Sequence, residues 1–207
     1  MTSPRTRRLL VDAELMHRRF AGWPVIEVTG TAGIPPEIYR VTYHLKGLYV
    51  DAAGNIVERA THLLEINLSL GYPRRAPQCR MLTPVFHPNF DDASVCIGDF
   101  WAASEGLDDL VIRIGRMIAY QEYNVRSPLN GLAAKWAAEN SRLLPIDNCI
   151  VAPPSQGSSE ASESTQSAQH VPVVLSIEES SAREGFVDAD PWNQRIVIET
   201  DLNQELG

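Results

Sequence analysis

Strict alternation of apolar and polar residues, over several short stretches of the first half of the chain, constrains the fold most. The sequence VTYHL at residues 41–45 alternates in this way, as do residues 26–28 and 64–70. Because successive side chains of a strand point to opposite faces of a sheet, this period predicts strands with one apolar face. The segment DAAGN at 51–55 supplies turn residues, and QCRMLTP at 78–84 supplies a fourth run. Short connections between successive strands predict a four-stranded antiparallel meander.

Helical periodicity flanks the predicted meander on both sides. Residues 7–20 and 107–123 each repeat apolar side chains at the spacing of an amphipathic helix. A third helix is predicted after Ser127, a good N-cap residue, with Pro128 at its first position. A helix, a meander, a loop and further helices together predict an α+β domain over residues 1–150.

Charge and composition divide the chain in two. Residues 1–150 carry 16 Lys and Arg against 16 Asp and Glu, whereas residues 151–207 carry 2 against 10. Residues 151–170 contain six serines and little to bury, so they predict a disordered linker. Residues 171–207 are predicted to be an acidic tail with two short β-prone runs. A neutral domain with an acidic tail excludes the class of nucleic-acid-binding proteins.

The sequence also predicts a cytoplasmic protein without membrane contact. No apolar run approaches the roughly 20 residues that span a bilayer, and the N-terminal residues lack the apolar segment of a secretory signal. Cys79, Cys96 and Cys149 are spaced too widely for a disulfide framework or a cysteine-rich metal site. We therefore expect a reducing compartment and neither a metal nor a cofactor.

Cys96 is the candidate for chemistry because it lies in the polar segment LTPVFHPNFDDASVCIGDFW, residues 82–101. There we expect it to be exposed, unlike Cys79 among strand residues, and thiolates need access to react. Three aspartates surround it in sequence and no basic residue is adjacent, which argues against attack on an unactivated amide. A thiol can still exchange with a thioester, whose acyl group is already activated. From these facts alone, a free cysteine in a surface loop is an equally good interpretation.

A longer stretch resembles a known family. YPRRAPQCRMLTPVFHPN at residues 72–89, followed seven residues later by Cys96, closely resembles the core of ubiquitin-conjugating enzymes. In that family a Tyr-Pro pair and a second proline precede a strand, a His-Pro-Asn triplet and the catalytic cysteine. QEYNVRSP at residues 121–128 resembles a second family segment, with Glu122 and Asn124 at matching places. The resemblance covers roughly residues 5–148 and implies a ubiquitin-conjugating-enzyme-like fold.

The resemblance also implies an activity and its residues. Cys96 would accept the C-terminal carboxyl of a ubiquitin-like protein as a thioester from an activating enzyme, and would pass it to an amine, usually a lysine of a target protein. Asn89 would brace the cysteine loop and stabilise the oxyanion, and His87 would order the loop. Ser127 matches the position where Ser or Asp admits the lysine, although its N-cap role needs no catalysis. A catalytically inactive variant that only binds ubiquitin-like proteins is the alternative function, and a cysteine hydrolase using His87 and Cys96 is a weaker one.

Basic residues near the N-terminus carry a further expectation. Arg5, Arg7 and Arg8 lie on or just before the first helix, where relatives meet the activating enzyme through basic residues. A solvated helix face is the alternative.

Departures from the common family pattern suggest a subgroup. Asn89 and Cys96 are one residue closer than usual, and ASEGLDD at residues 103–109 replaces a ligase-docking segment. These differences resemble bacterial conjugating enzymes from operons that encode their own ubiquitin-like protein and are associated with antiphage defence. In the tail, residues 173–181 and 196–201 resemble short motifs that bind ubiquitin-like proteins by strand addition, although a packed hairpin or another partner would fit them too.

Overall fold

The computed structural model describes residues 2–97 and 101–154. In this part of the chain a helix is followed by four strands, two further helices and a short 3-10 turn, which confirms the predicted α+β class. The elements are α1 (Pro4–Phe20), β1 (Ile26–Ala32), β2 (Ile38–Val50), β3 (Ile56–Asn67), β4 (Gln78–Met81), α2 (Leu107–Ile118), α3 (Gly131–Glu139) and the 3-10 turn Ser141–Leu143.

The four strands form one antiparallel sheet in the order β1-β2-β3-β4, as the alternation predicts. Tyr39, Val41 and Tyr43 of β2 are buried, and the residues between them face outward or are half-buried. The apolar face packs against α2, where the Tyr43 hydroxyl donates a 2.9 Å hydrogen bond to the Val111 carbonyl. The sheet therefore fixes the position of α2, the helix that later forms part of the site.

Helix α1 covers one end of this layer. Ser3 caps it by accepting a hydrogen bond from the Thr6 amide, and its buried face carries Leu9, Met16 and Phe20. Arg19 near its C-terminal end forms an ion pair with Asp108 at the start of α2. The predicted amphipathic helix is thus confirmed, and it starts three residues earlier than expected.

The third helix differs from the prediction at its N-terminus. Its N-cap is Asn130, whose side chain accepts a 3.0 Å hydrogen bond from the Ala133 amide, so the prediction that Ser127 caps this helix is wrong. The backbone amides of Leu129 and Asn130 both donate to the Pro88 carbonyl. This long-range contact holds the preceding residues outside the helix, and the helix can begin only after it.

Two element ends also lie earlier than the sequence predicts. Helix α2 ends at Ile118, because Tyr120 has a φ of +56°, which does not continue a right-handed helix. Strand β3 ends at Asn67, and the Leu68 amide bonds to the Glu37 carbonyl instead. Leu70, placed by alternation on the apolar face, is 88% exposed.

The C-terminal end of the described residues packs against the core through Val151. This residue is buried, and its carbonyl accepts a 3.0 Å hydrogen bond from the Trp23 indole. All but the first residues of the predicted linker, and the whole predicted tail with its two β-prone runs, lie outside the described residues. None of the described helices has the length and apolar character to cross a membrane. Within the same residues, no group of three or more His, Cys, Asp or Glu side chains is placed to hold a metal ion.

Candidate active site

The loop that carries Cys96 is held closed by short-range hydrogen bonds. The Cys96 amide donates to the Asn89 carbonyl at 2.8 Å, and Phe90 forms an isolated bridge with Val95. Between them, Asp91 accepts hydrogen bonds from the backbone amides of the next turn, of which the Ser94 amide at 2.6 Å is one. These backbone donors lower the pKa of Asp91 below its usual range. The loop is therefore a closed turn.

Cys96 is half-buried and opens into a cavity of about 190 Å³. Burial raises the pKa of Cys79 to about 12, and burial together with the nearby Asp147 raises the pKa of Cys149 to about 11. The cavity is lined by Asn89, Cys96, Ile97, Arg113, Met117, Glu122, Tyr123 and Asn124.

Asn89 connects the cysteine loop to the second family-like segment. Its side chain is 4% exposed; Nδ2 donates to the Asn124 carbonyl at 3.1 Å, and Oδ1 accepts from the Asn124 amide at 2.8 Å. A primary amide has two N–H donors, so one makes no hydrogen bond to the residues that the structure describes. Asn89 is thus placed to brace the loop, and the same side chain lines the cavity with Cys96.

His87 is buried below the loop and is not among the residues lining the cavity. Its Nδ1 accepts a hydrogen bond from the Asn89 amide at 3.1 Å, and its ring packs edge-on against Phe90 and Tyr120. Burial lowers the pKa of His87 to about 3, only partly opposed by the Glu122 backbone. A neutral, enclosed imidazole of this kind fits the structural role that the resemblance implies, and it does not provide the base that a cysteine hydrolase needs.

Ser127 is exposed on the loop before α3 and does not line the cavity. The structure thus brings Asn89 and Cys96 together, with His87 directly behind them, and leaves Ser127 outside. Its match to the lysine-admitting position of the family stays a prediction.

Arg113 lines the cavity and was missed by sequence reasoning. It projects from α2, and its Nη2 lies 2.7 Å from Glu105 Oε1. Burial raises the pKa of Glu105; Arg113 opposes this shift, while the nearby Asp109 and Glu122 add to it. The one signal available in the sequence was a cation between Ile112 and Ile114 in a largely apolar stretch of the helix. The cavity therefore has a cationic wall that the residues next to Cys96 in sequence do not reveal.

The three arginines of the N-terminal segment have different environments. Arg5 pairs with Glu37 at 2.8 Å and donates to the Leu68 carbonyl. Arg8 donates to Asp12 and Tyr72 and to backbone carbonyls of the segment after the cysteine loop. Arg7 is exposed. Of the three, Arg5 and Arg8 stabilise the domain internally, which leaves Arg7 as the side chain best placed to meet a partner.

Comparisons with known proteins agree with this architecture. A family model described as "Ubiquitin-conjugating enzyme" matches residues 36–144, more than half of the 207 residues of the chain. The chain is also similar to "Ubiquitin-conjugating enzyme E2 1" of Caenorhabditis elegans, with 26% identity over 146 residues, which cover 69% of this chain and 70% of the relative. The family match includes the His-Pro-Asn triplet, Cys96 and the second family-like segment.

Proposed function

The chain belongs to the ubiquitin-conjugating enzyme family, and from this premise we propose that it carries a ubiquitin-like protein as a thioester on Cys96 and transfers it to an amine. The observation that carries the proposal is the position of Cys96. Cys96 is half-buried and lines a cavity together with Asn89, and the hydrogen bond from the Cys96 amide to the Asn89 carbonyl closes the loop around it.

The proposed chemistry consists of two acyl transfers. In the first, the Cys96 thiolate attacks the thioester carbonyl on an activating enzyme; a new C–S bond forms and the activating enzyme's thiolate leaves. In the second, a neutral amine attacks the same carbonyl, the C–N bond of an amide forms, the C–S bond breaks, and the amine proton passes to the departing thiolate or to water. Because the acyl group is already activated, neither step needs a strong general base. This agrees with the enclosed position of His87.

Asn89 is proposed to assist both steps by holding the loop, and the second step by donating its remaining N–H to the oxyanion. Donors aimed at developing charge act strongly in sites that exclude water. The hydrogen bonds between Asn89 and Asn124 fix the direction of this amide.

The test is a charging assay with the full-length protein, an activating enzyme, ATP and ubiquitin as the first ubiquitin-like probe. We expect an adduct that reducing agent removes, and its absence or replacement by a reductant-resistant ester in Cys96→Ser. Cys79→Ser and Cys149→Ser are the matched controls and should charge normally. A wild-type protein that binds the ubiquitin-like protein without forming an adduct would instead identify the inactive binding variant. Loss of charging in either control, with retention in Cys96→Ser, would show that the thiol is wrongly assigned.

We further propose that the protein works in the cytoplasm of a bacterium, beside its own ubiquitin-like protein and activating enzyme, in a system of antiphage defence. The shortened cysteine loop and the replaced ligase-docking segment support the subgroup, and three free thiols support a reducing compartment. Neighbouring genes for a ubiquitin-like protein and an activating enzyme would support this proposal, and their absence from the locus would contradict it.

A further inference from the structure

We propose that Arg113 binds the main chain of the ubiquitin-like protein's C-terminal end while that end is attached to Cys96. The inference rests on the proposed function and names the residue that recognises the acyl chain beyond the reacting carbonyl. It starts from one juxtaposition: the side chains of Arg113 and Cys96 line the same cavity.

Arg113 is held on a rigid element. Helix α2 lies on the sheet, and the hydrogen bond from the Tyr43 hydroxyl to the Val111 carbonyl fixes the helix two residues before Arg113. Val111, Ile112 and Ile114 around it are buried. The guanidinium therefore has a defined position relative to the cysteine loop, as binding by a single side chain requires.

The guanidinium also has donors to spare. Arginine carries five N–H donors. Nη2 of Arg113 lies 2.7 Å from Glu105 Oε1, but it makes no well-aligned hydrogen bond to any described residue. Its Nε is buried and makes no hydrogen bond to any residue in the described part of the chain. A buried donor without an acceptor is costly. A carbonyl oxygen that enters the cavity would supply an acceptor.

The cavity favours a peptide end over a small-molecule cofactor. Its volume of about 190 Å³ is below the range of about 300 to 1,000 Å³ that is typical of small-molecule sites. Ile97, Met117 and Tyr123 give it largely apolar walls. A small cavity with such walls suits an extended chain of small residues, whose only strongly polar groups are main-chain amides. Arg113 is the cation in this lining that can pair with their carbonyls.

The test compares two acyl donors on the full-length protein without an activating enzyme. One donor is the thioester of acetyl-Ala-Gly-Gly, which carries carbonyls beyond the reacting one, and the other is an acetyl thioester, which carries none. The quantity measured is the ratio of the two rates of acylation of Cys96. Arg113→Gln should lower this ratio about tenfold or more, the size of effect expected from a hydrogen bond to a charged group.

Three further variants separate binding from folding. Arg113→Lys keeps the charge and should restore part of the ratio. Glu105→Gln breaks the ion pair but keeps the guanidinium, and Arg116→Gln removes an exposed arginine of the same helix. Both should keep the ratio within about twofold of the wild type, because each leaves the Arg113 guanidinium in place.

Two results would overturn the inference. One is an unchanged ratio in Arg113→Gln. The other is an equal fall of the ratio in Glu105→Gln, which would assign Arg113 a packing role only. The proposed function is tested separately by the charging assay. It fails if the wild-type protein takes no ubiquitin-like protein from an activating enzyme, whatever the ratio of the two acylation rates.

Discussion

The side chain of Asn89 and the backbone of Asn124 form two hydrogen bonds that run in opposite directions. Nδ2 donates to the Asn124 carbonyl, and Oδ1 accepts from the Asn124 amide. One side chain thereby fixes the loop that carries Cys96 against the loop that follows α2, and the cavity lies at their junction.

Asn89→Ala should therefore have two effects. Each of the two hydrogen bonds contributes about 0.5 to 1.5 kcal/mol, so their loss should lower the free energy of unfolding by about 1 to 3 kcal/mol. Loss of the remaining N–H donor should slow discharge of the Cys96 thioester to lysine more than it slows charging. Single-turnover charging and discharge, with a melting curve, measure all three quantities. Equal losses in charging and discharge would show that Asn89 only holds the loop in place.

The three thiols should differ in reactivity. Cys79 is buried with a pKa of about 12, and Cys149 has a pKa of about 11, so both are almost entirely protonated at neutral pH. Iodoacetamide at pH 7.5 should label Cys96, which lines an open cavity, before these two, as mass spectrometry of tryptic peptides would show. Labelling of Cys149 ahead of Cys96 would contradict the described loop. In the denatured protein all three should react alike, which is the control.

The arginines of α1 should separate partner binding from folding. Arg7 is exposed, so Arg7→Glu should keep the melting temperature and slow charging by the activating enzyme, most strongly at low salt. Discharge to free lysine should be unchanged. Arg18, exposed near the other end of α1, provides the matched control Arg18→Glu. Equal charging rates for Arg7→Glu and wild type across a salt series would exclude Arg7 from the interface.

Arg8→Glu should instead destabilise the domain. Arg8 Nε lies 2.9 Å from a carboxylate oxygen of Asp12, which is 1% exposed and also accepts a 2.6 Å hydrogen bond from the Tyr72 hydroxyl. Removing the cation from a buried pair costs about 3 to 5 kcal/mol, and a second anion adds to this. Urea denaturation measures the loss. A stable Arg8→Glu protein would show that Asp12 is not buried against Arg8 in solution.

Local patterns predicted the fold because they agree with its tertiary structure. The apolar face of α1 and the alternation in β2 already select one buried side, and short turns leave few ways to join the strands. Leu70 shows the limit of this reasoning. The alternation of apolar and polar residues continues to Leu70, past the end of β3, where the Leu68 amide donates a hydrogen bond to the Glu37 carbonyl. The pattern alone does not reveal that competing bond.

The sequence predicted the site residues that lie on one loop. It did not predict those that reach the site from separate helices and strands. Asn89 and Cys96 lie close in the chain, and family-like motifs mark both. Arg113 reaches the cavity only through the packing of α2 on the sheet. The N-cap at Ser127 was predicted wrongly because the Pro88 carbonyl, some 40 residues earlier in the chain, takes the amides of Leu129 and Asn130.

Two buried histidines should make the domain sensitive to acid. Burial lowers the pKa of His62 to about 4 and that of His87 to about 3, below the ordinary value of about 6.5. Between these values the unfolded chain binds protons that the folded chain does not, so the free energy of unfolding falls as the pH falls. Stability from these groups is complete above about pH 6.5, and each costs up to about 1.4 kcal/mol per pH unit below it.

The measurement is urea denaturation between pH 7.5 and 4.5, above the range in which carboxylates with lowered pKa values, such as Asp91, protonate. His62→Gln keeps a donor for the Arg59 carbonyl, which His62 Nε2 contacts at 2.9 Å, and removes the titrating group. We expect this variant to lose about half of the pH dependence. His17→Gln, on the exposed face of α1, is the control and should keep all of it. Glu105, whose pKa is raised, makes the free energy of unfolding change with pH in the opposite direction. The contribution of His62 is therefore read from the difference between the variant and the wild type. An unchanged slope in His62→Gln would mean that His62 titrates normally and is not enclosed in the core.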